Sequence, residues 1–213
     1  MSIFYYKDIP ESRLKGFRPV RSALDNLSNI LEIVELVNTC GHHMTTLHQE
    51  NFDFVIFTGD HCRALVKKPD GFFTMAIPFQ AINDGEILRF NCDEVGEEVS
   101  GKLLSILKNA ISTSKIQISH EDIIFSFCES FDLEVHEAIY YYDAFASLLS
   151  EDHGYFRFDD DEINQNGKIH PRFHFDFFFK NSSSVKIGIE RPVDINFFHS
   201  LFNRTQDRYF LAK

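Results

Sequence analysis

The sequence predicts an α+β protein in which a mixed or antiparallel sheet, ending in a Phe-rich C-terminal meander, packs against amphipathic helices. Apolar residues recur every three or four positions through much of the chain and alternate every second position in the last third. The 213 residues are 44% hydrophobic and 25% charged, an ordinary globular composition. We therefore expect a single α+β domain over residues 1–213, with a subdivision into 1–150 and 151–213.

The helices are predicted from hydrophobic spacing and from start and stop signals. In the first helix, Gly41 follows the last apolar residue as a stop. In the helix over 132–149, Val135, Ile139 and Phe145 are among the residues expected to face inward. The predicted helices cover residues 19–38, 94–111, 121–130 and 132–149, with a terminal helix from Val193.

The strands are predicted from short apolar or alternating runs that are bounded by turn residues. Over 172–180 the contrast is strongest, because Phe173, Phe175, Phe177 and Phe179 alternate with polar side chains. With 24 Phe and no Trp in the chain, phenylalanine supplies most of the large aromatic volume of the core. The predicted strands are 53–58, 62–68, 72–79, 86–91, 155–159, 172–180 and 185–190, with a turn at 181–184.

Charged and imidazole side chains occupy the face of the last three strands opposite the phenylalanines, because side chains alternate across a strand. Pro171 disfavours helix at His170, so His170 and His174 read as extended rather than as a helical pair. If the strands pair as a meander, the side chains that share this face are Arg157, Asp159, Arg172, His174, Asp176 and Lys186.

Three interpretations of this polar face remain open. His174 and Asp176 are metal-ligand candidates, with Asp159 or Asp161 completing the shell. Alternatively His174, with His170, acts as the acid or base of a phosphate site. In the third interpretation the side chains form a solvent-facing network of ion pairs across the strands. No resident cofactor is predicted, and a divalent metal belongs only to the catalytic alternative. The phosphate clamp of that alternative would be Arg157, Arg172 and Lys186.

The net charge of −11 is concentrated in the middle of the chain, where residues 81–150 hold 13 acidic against 4 basic residues. A nonspecific duplex-DNA binder carries a basic footprint, so duplex DNA is disfavoured as a partner. The acidic block has two interpretations: a surface that binds a protein partner with a basic surface, or solvated helix faces that keep the protein soluble. A nucleotide or RNA stays compatible with the polar face. The candidate partner-binding residues are Glu94, Glu97, Glu98, Asp132, Glu134 and Glu137, of which the first three are expected in the first turn of a helix.

Several classes of protein are disfavoured by missing patterns. The four cysteines are separated by 22, 30 and 36 residues and form no CxxC pair. The sequence has no GxGxxG or GxxxxGK[ST] loop, no HExxH and no GxSxG. The first residues have no apolar core of a secretory signal, and no apolar run reaches the roughly 18 residues of a membrane span. We expect a cytoplasmic protein with reduced thiols and no membrane association.

The last third of the chain carries an aromatic-Arg-aromatic-Asp strand over 155–159, a His-Pro-x-x-His motif from His170 to His174, a further strand and a closing aromatic helix. In this order it resembles a family of uncharacterised bacterial proteins, over roughly residues 155–210. The resemblance implies a prokaryotic origin among mobile-element or antiviral-defence genes. It places the motif on Arg157, Asp159, His170 and His174. The family tends to show Arg-x-Pro in the next strand, where this chain has Lys186, Ile187 and Gly188.

Two functions follow as hypotheses. The first is a non-catalytic interaction or regulatory component of a defence or toxin–antitoxin-like system, acting through its acidic surface. The alternative is a metal- or His-dependent phosphodiesterase or nuclease that uses the polar face of the C-terminal sheet.

Overall fold

The structure is a computed structural model that describes residues 1–85, 87–116, 119–177 and 185–207. The predicted strand positions at Glu86 and 178–180, the turn at 181–184 and the closing Phe210 lie outside the described residues. Within the described ranges, six α-helices accompany an eight-stranded and a three-stranded sheet, both antiparallel. The predicted α+β class and the Phe-rich C-terminal strands are confirmed.

The strands and helices follow one another in runs along the chain. The strands are β1 (Ser2–Tyr6), β2 (Met44–Thr45), β3 (Phe54–Thr58), β4 (Arg63–Lys68), β5 (Gly71–Ala76), β6 (Gln80–Asn83), β7 (Leu88–Cys92), β8 (Glu97–Glu98), β9 (Phe156–Asp160), β10 (Phe173–Phe177) and β11 (Val185–Ile189). The helices are α1 (Glu11–Leu14), α2 (Ala23–Thr39), α3 (Gly101–Ser114), α4 (His120–Phe131), α5 (Val135–Ser150) and α6 (Ile195–Phe202). No helix in the described ranges is both long and apolar enough to cross a bilayer.

The chain forms two compact units that interleave along the sequence. The sheet unit consists of Met1–Ile9, His43–Ile77 and His153–Lys213, and the helical unit consists of Pro10–His42 and Pro78–Asp152. The sheet unit has 13 acidic and 13 basic residues, so its net charge is zero. The helical unit has 19 acidic and 8 basic residues, so the whole net charge of −11 belongs to it. The single domain over 1–213 stays a prediction.

The sheet unit is built on the eight-stranded sheet, whose strand order is β11-β10-β9-β5-β4-β3-β1-β2. One face of this sheet packs against α6, which brings Ile195 and Phe198 into the core. The predicted inward direction of Phe173, Phe175 and Phe177 is confirmed, because all three contact this core. Their polar neighbours on β9 and β10 therefore lie on the opposite face.

In the helical unit, three helices begin later than the sequence predicts. The helix predicted over 19–38 begins at Ala23, with the Ser22 hydroxyl accepting from the Asp25 N–H. Upstream of this cap, the Asn29 side chain binds both the N–H and the carbonyl of Arg18, which holds residue 18 outside the helix. The helix predicted from 94 begins only at Gly101, after the Ser100 cap.

The placement of Glu94, Glu97 and Glu98 in the first turn of a helix was therefore wrong. Gly96 has φ +59°, a left-handed conformation that interrupts a helix, and Glu97 and Glu98 form β8, which pairs with β7. Val95 and Val99 are both buried, although neither lies in a helix. Their four-residue spacing is the spacing that the apolar face of a helix would show.

The helix predicted over 132–149 begins at Val135. Asp132 instead ends α4 in the left-handed conformation, at φ 52° and ψ 44°. The helix predicted over 121–130 is confirmed, because α4 includes all of these residues. The inward orientation of Val135 and Ile139 was wrong, because they are 53% and 43% exposed. The buried side of α5 is formed by Ala138, Ala144, Phe145 and Leu148.

Candidate functional site

The polar side chains of the C-terminal strands converge because β9, β10 and β11 pair in a meander. The register places Arg157 opposite Asp176 and Asp176 opposite Lys186. Two residues further along β9, Asp159 lies opposite His174. Together with a lysine at the end of β4, they form what we call the polar cluster: Lys68, Arg157, Asp159, His174, Asp176 and Lys186.

His174 is the most enclosed member of the polar cluster, with 1% of its side chain exposed. Its Nδ1 lies 2.8 Å from the carbonyl oxygen of Pro171, which can only accept a hydrogen bond. Its Nε2 lies 2.8 Å from Nζ of Lys186, which can only donate. These contacts assign a neutral imidazole with its proton on Nδ1, donating to Pro171 and accepting from Lys186.

Glycine at position 188 explains how His174 becomes enclosed. Gly188 lies opposite His174 on β11, and a Cβ added there would come within 2.6 Å of Cγ of Pro171. The absence of a side chain therefore lets Pro171 pack onto the strand, where its carbonyl reaches His174. This is the position at which the sequence departs from the Arg-x-Pro pattern.

Two carboxylates hold the three cations of the cluster. Asp176 accepts from Lys186 Nζ at 2.8 and 2.9 Å and also from a terminal nitrogen of Arg157. Asp159 accepts from Nε of Arg157 at 2.7 Å and from Nζ of Lys68 at 2.9 Å. Every carboxylate oxygen of the pair thus has a cationic donor.

The ionised states of Asp159 and Lys68 are favoured despite the partial burial of both side chains. Burial alone would raise the pKa of Asp159, but the hydrogen bonds and charges of Lys68 and Arg157 outweigh it and the pKa is lowered. Burial alone would lower the pKa of Lys68, yet the same contact with Asp159, helped by Asp70, raises it. The carboxylate of Asp159 and the ammonium of Lys68 therefore stay charged around neutral pH.

The lowered pKa of Asp159 predicts a loss of stability in acid. Because the folded-state pKa lies below the ordinary value of 3.8, Asp159 contributes stability above about pH 4, and this contribution is lost as the pH falls through the folded pKa. We expect the free energy of unfolding to decline less steeply below pH 4 in Asp159→Asn than in wild type. Denaturant unfolding at several pH values measures both slopes, and equal slopes would contradict the assignment.

Three further residues that the sequence nominated, Arg172, His170 and Asp161, lie beside the cluster rather than within it. Arg172 binds Asp160, with Nε 2.7 Å from Oδ1, and its guanidinium lies 4.9 Å from the ring centroid of Phe173. The ring of His170 meets that of His174 edge-on at 5.0 Å. Nε2 of His170 lies 3.2 Å from the Asp161 carboxylate, but not in a hydrogen-bonding direction.

The same cluster contains a candidate metal-ligand set. Asp159, His174 and Asp176 each offer one ligand atom, and these atoms lie within 4.8 Å of one another. Each of the three side chains already accepts a hydrogen bond from Lys68, Arg157 or Lys186. A divalent cation would have to displace at least Lys186, so the residues fit a metal poorly in this arrangement.

The predicted partner-binding acids all lie in the helical unit, and they occupy different surroundings. Glu94 is half-buried and accepts from the Cys92 thiol, whose pKa is raised to about 12 by burial and then by this carboxylate. Glu97 accepts from the Tyr141 hydroxyl at 3.4 Å. Burial raises the pKa of Tyr141, and the charges of Glu97 and Glu137 raise it further. The carboxylates of Glu97 on β8 and Glu137 on α5 therefore both act on the same tyrosine.

The start of α5 collects the remaining acids. The Glu137 carboxylate accepts from the backbone N–H of Glu134, an arrangement that caps the helix. Asp132 precedes it at the end of α4 and is exposed, as are Glu134 and Glu137. The exposed carboxylates around α5 and β8, which we call the acidic face, are Glu97, Glu98, Asp132, Glu134 and Glu137.

Compared with protein-family models, curated proteins and solved structures, the chain matches none of them.

Two residues of the site could not be assigned to it from the sequence. Lys68 joins the cluster although 91 residues separate it from Asp159. Gly71 permits the approach of β9 to β5, where it lies opposite Asp159. A turn at Pro69, Asp70 and Gly71 could be predicted from the sequence, but its contact with β9 could not.

Proposed function

We propose that this chain is a non-catalytic interaction protein whose acidic face binds a protein partner with a basic surface. Its place in a bacterial defence or toxin–antitoxin-like system follows from the resemblance of residues 155–210 and is part of the same proposal. The observation that carries it is the charge distribution: the helical unit has a net charge of −11, while the sheet unit has none. A charge segregated in this way attracts and orients a partner of opposite sign.

The exposed side of α5 supports a protein rather than a small cation as the partner. Val135 and Ile139 are one helical turn apart and are 53% and 43% exposed, and Tyr140 beside them is 51% exposed. Glu134 and Glu137 belong to the same stretch of helix. Apolar and tyrosine side chains surrounded by charge are the usual composition of a protein interface, with an apolar centre and a charged rim.

Neutralising the acidic face tests this proposal. The variant carries Glu97→Gln, Glu98→Gln, Asp132→Asn, Glu134→Gln and Glu137→Gln. Asn tolerates the left-handed conformation at position 132, and Gln preserves the capping contact at 137, so the fold should persist. We expect the wild type to recover a stoichiometric partner from lysate of the source organism. The affinity of the variant for this partner should be at least tenfold lower.

The matched control removes five exposed acids from the sheet unit through Glu50→Gln, Asp60→Asn, Glu162→Gln, Glu190→Gln and Asp207→Asn. It changes the net charge by the same amount and should retain the partner. Equal binding by the neutralised variant and the wild type would refute the acidic face, and equal loss in both variants would reduce the effect to overall charge.

A His-dependent phosphodiesterase or nuclease remains the second proposal, because five of the six residues nominated for the polar face do converge. The enclosure of His174 and its full set of hydrogen bonds weigh against it. A metal-supplemented nuclease and phosphodiesterase screen of wild type and His174→Ala tests this second proposal. Activity that is lost in the variant supports the enzyme, and background activity in both proteins ends this proposal.

A further inference from the structure

A cleft of about 380 Å³ opens in the sheet unit at the ends of three neighbouring strands. Lys7 and Asp8 follow β1, Asn51 to Asp53 precede β3, and Lys67 and Lys68 end β4. These segments meet because β1, β3 and β4 pair antiparallel in sequence. The volume is within the range of roughly 300–1,000 Å³ that small-molecule sites occupy.

The walls of the cleft are fixed by main-chain hydrogen bonds. The N–H of Asp53 donates to the Tyr6 carbonyl, and the N–H of Lys67 donates to the Asp53 carbonyl, both at 2.9 Å. The Asp53 carboxylate accepts from the N–H of Ile9 at 2.8 Å. Asp8 has φ +60°, which turns the chain sharply after Lys7. A ligand would therefore meet a preformed site.

The charged residues that line the cleft are three lysines, Lys7, Lys67 and Lys68, and two aspartates, Asp8 and Asp53. Lys68 is held by Asp159 and Asp70, whose charges offset its own, so it is not counted as a ligand-binding cation. Lys67 differs from it: among the described residues no carboxylate lies within ion-pair distance of its Nζ, which is 5.8 Å from the ring centroid of the buried Phe52. The carboxylate of Asp8 is 4.0 Å from Lys7 and 77% exposed, a weak pair.

We propose that this cleft binds a small soluble phosphate monoester, with Lys67 and Lys7 contacting the phosphate above the floor formed by Phe52. Lysine binds phosphate as a point charge, and two such charges on a fixed backbone suit a compact dianion. The site lies in the neutral sheet unit, so it is independent of the acidic face and would exist whether or not a protein partner binds there.

Calorimetric titration with AMP, adenosine and inorganic pyrophosphate tests this inference at low ionic strength. We expect saturable binding of AMP and pyrophosphate by the wild type, weakened by added salt, and no binding of adenosine. The variant Lys67→Gln should bind AMP about tenfold or more weakly, because it loses one charged hydrogen bond.

Lys168→Gln is the matched control, since Lys168 is an exposed lysine of the same unit outside the cleft. It should bind AMP as the wild type does. The thermal unfolding midpoint of Lys67→Gln checks that its fold is unchanged. The inference is overturned if the wild type does not bind AMP, if adenosine binds as well as AMP, or if Lys67→Gln binds like the wild type.

Discussion

Replacing Gly71 by alanine is expected to reduce the free energy of unfolding by about 4 kcal/mol or more, because two separate costs add. Gly71 has φ +142°, a conformation that a residue with a Cβ rarely adopts. A Cβ at this position would also lie 2.1 Å from the carbonyl oxygen of Phe158 and 3.0 Å from its carbonyl carbon. Both atoms belong to the backbone of β9, so the two strands would have to separate.

Gly101→Ala provides the control for this experiment. Gly101 is the first residue of α3, and an added Cβ would have no neighbour within 4 Å. Alanine there should leave stability unchanged or raise it by up to about 1 kcal/mol, since it restricts the unfolded chain. Chemical denaturation of both variants measures the difference. A Gly71→Ala protein as stable as Gly101→Ala would refute the close approach of β5 and β9.

Asp176→Asn is expected to cost about 2 to 4 kcal/mol, because it leaves two cations of the polar cluster without their shared carboxylate. Lys186 has no other carboxylate partner among the described ion pairs, and its side chain is 24% exposed. Arg157 keeps Asp159 but loses its second contact. Asparagine preserves the volume of the side chain, so the loss reports on charge and hydrogen bonding rather than on a cavity.

Denaturant unfolding at neutral pH gives this loss directly, and Glu11→Gln gives the reference for a surface pair. Glu11 contacts Lys15 at 3.1 Å, with side chains 82% and 72% exposed, and such a pair contributes little. If Asp176→Asn were no more destabilising than Glu11→Gln, the cluster would not be a stabilising network. Near-UV circular dichroism would show whether the core around His174 loosens.

The C-terminal meander was the part of the fold most open to prediction from the sequence. Phenylalanine and charge alternate over Phe173 to Phe177 with no ambiguity of period, so the faces of β10 follow from the geometry of a strand. The convergence of Arg157, Asp159, His174, Asp176 and Lys186 was expected on condition that the strands pair in order. The enclosure of His174 was not, because it depends on Pro171 packing against Gly188 across the sheet.

Other features are long-range and leave no local pattern. Lys68 reaches Asp159 only because β5 pairs with β9, and such pairing depends on tertiary contacts that a single sequence does not display. Arg172 alternates in phase with His174, yet it lies just before β10 and turns to Asp160. The helix predicted from residue 94 failed for a related reason, because a buried turn with valines four residues apart has the spacing of a helix.

The interleaving of the two units has a consequence for the order in which they are completed during synthesis. The helical unit ends at Asp152, so all of its residues have been polymerised before β9 to β11 are made. The sheet unit begins with Met1 but must wait for the last quarter of the chain. Until Phe156 to Asp160 are available, β5 has β4 on one side but lacks β9 on the other, and it presents an open strand edge. A nascent chain stalled in this interval would therefore be the form most exposed to aggregation or to capture by a chaperone.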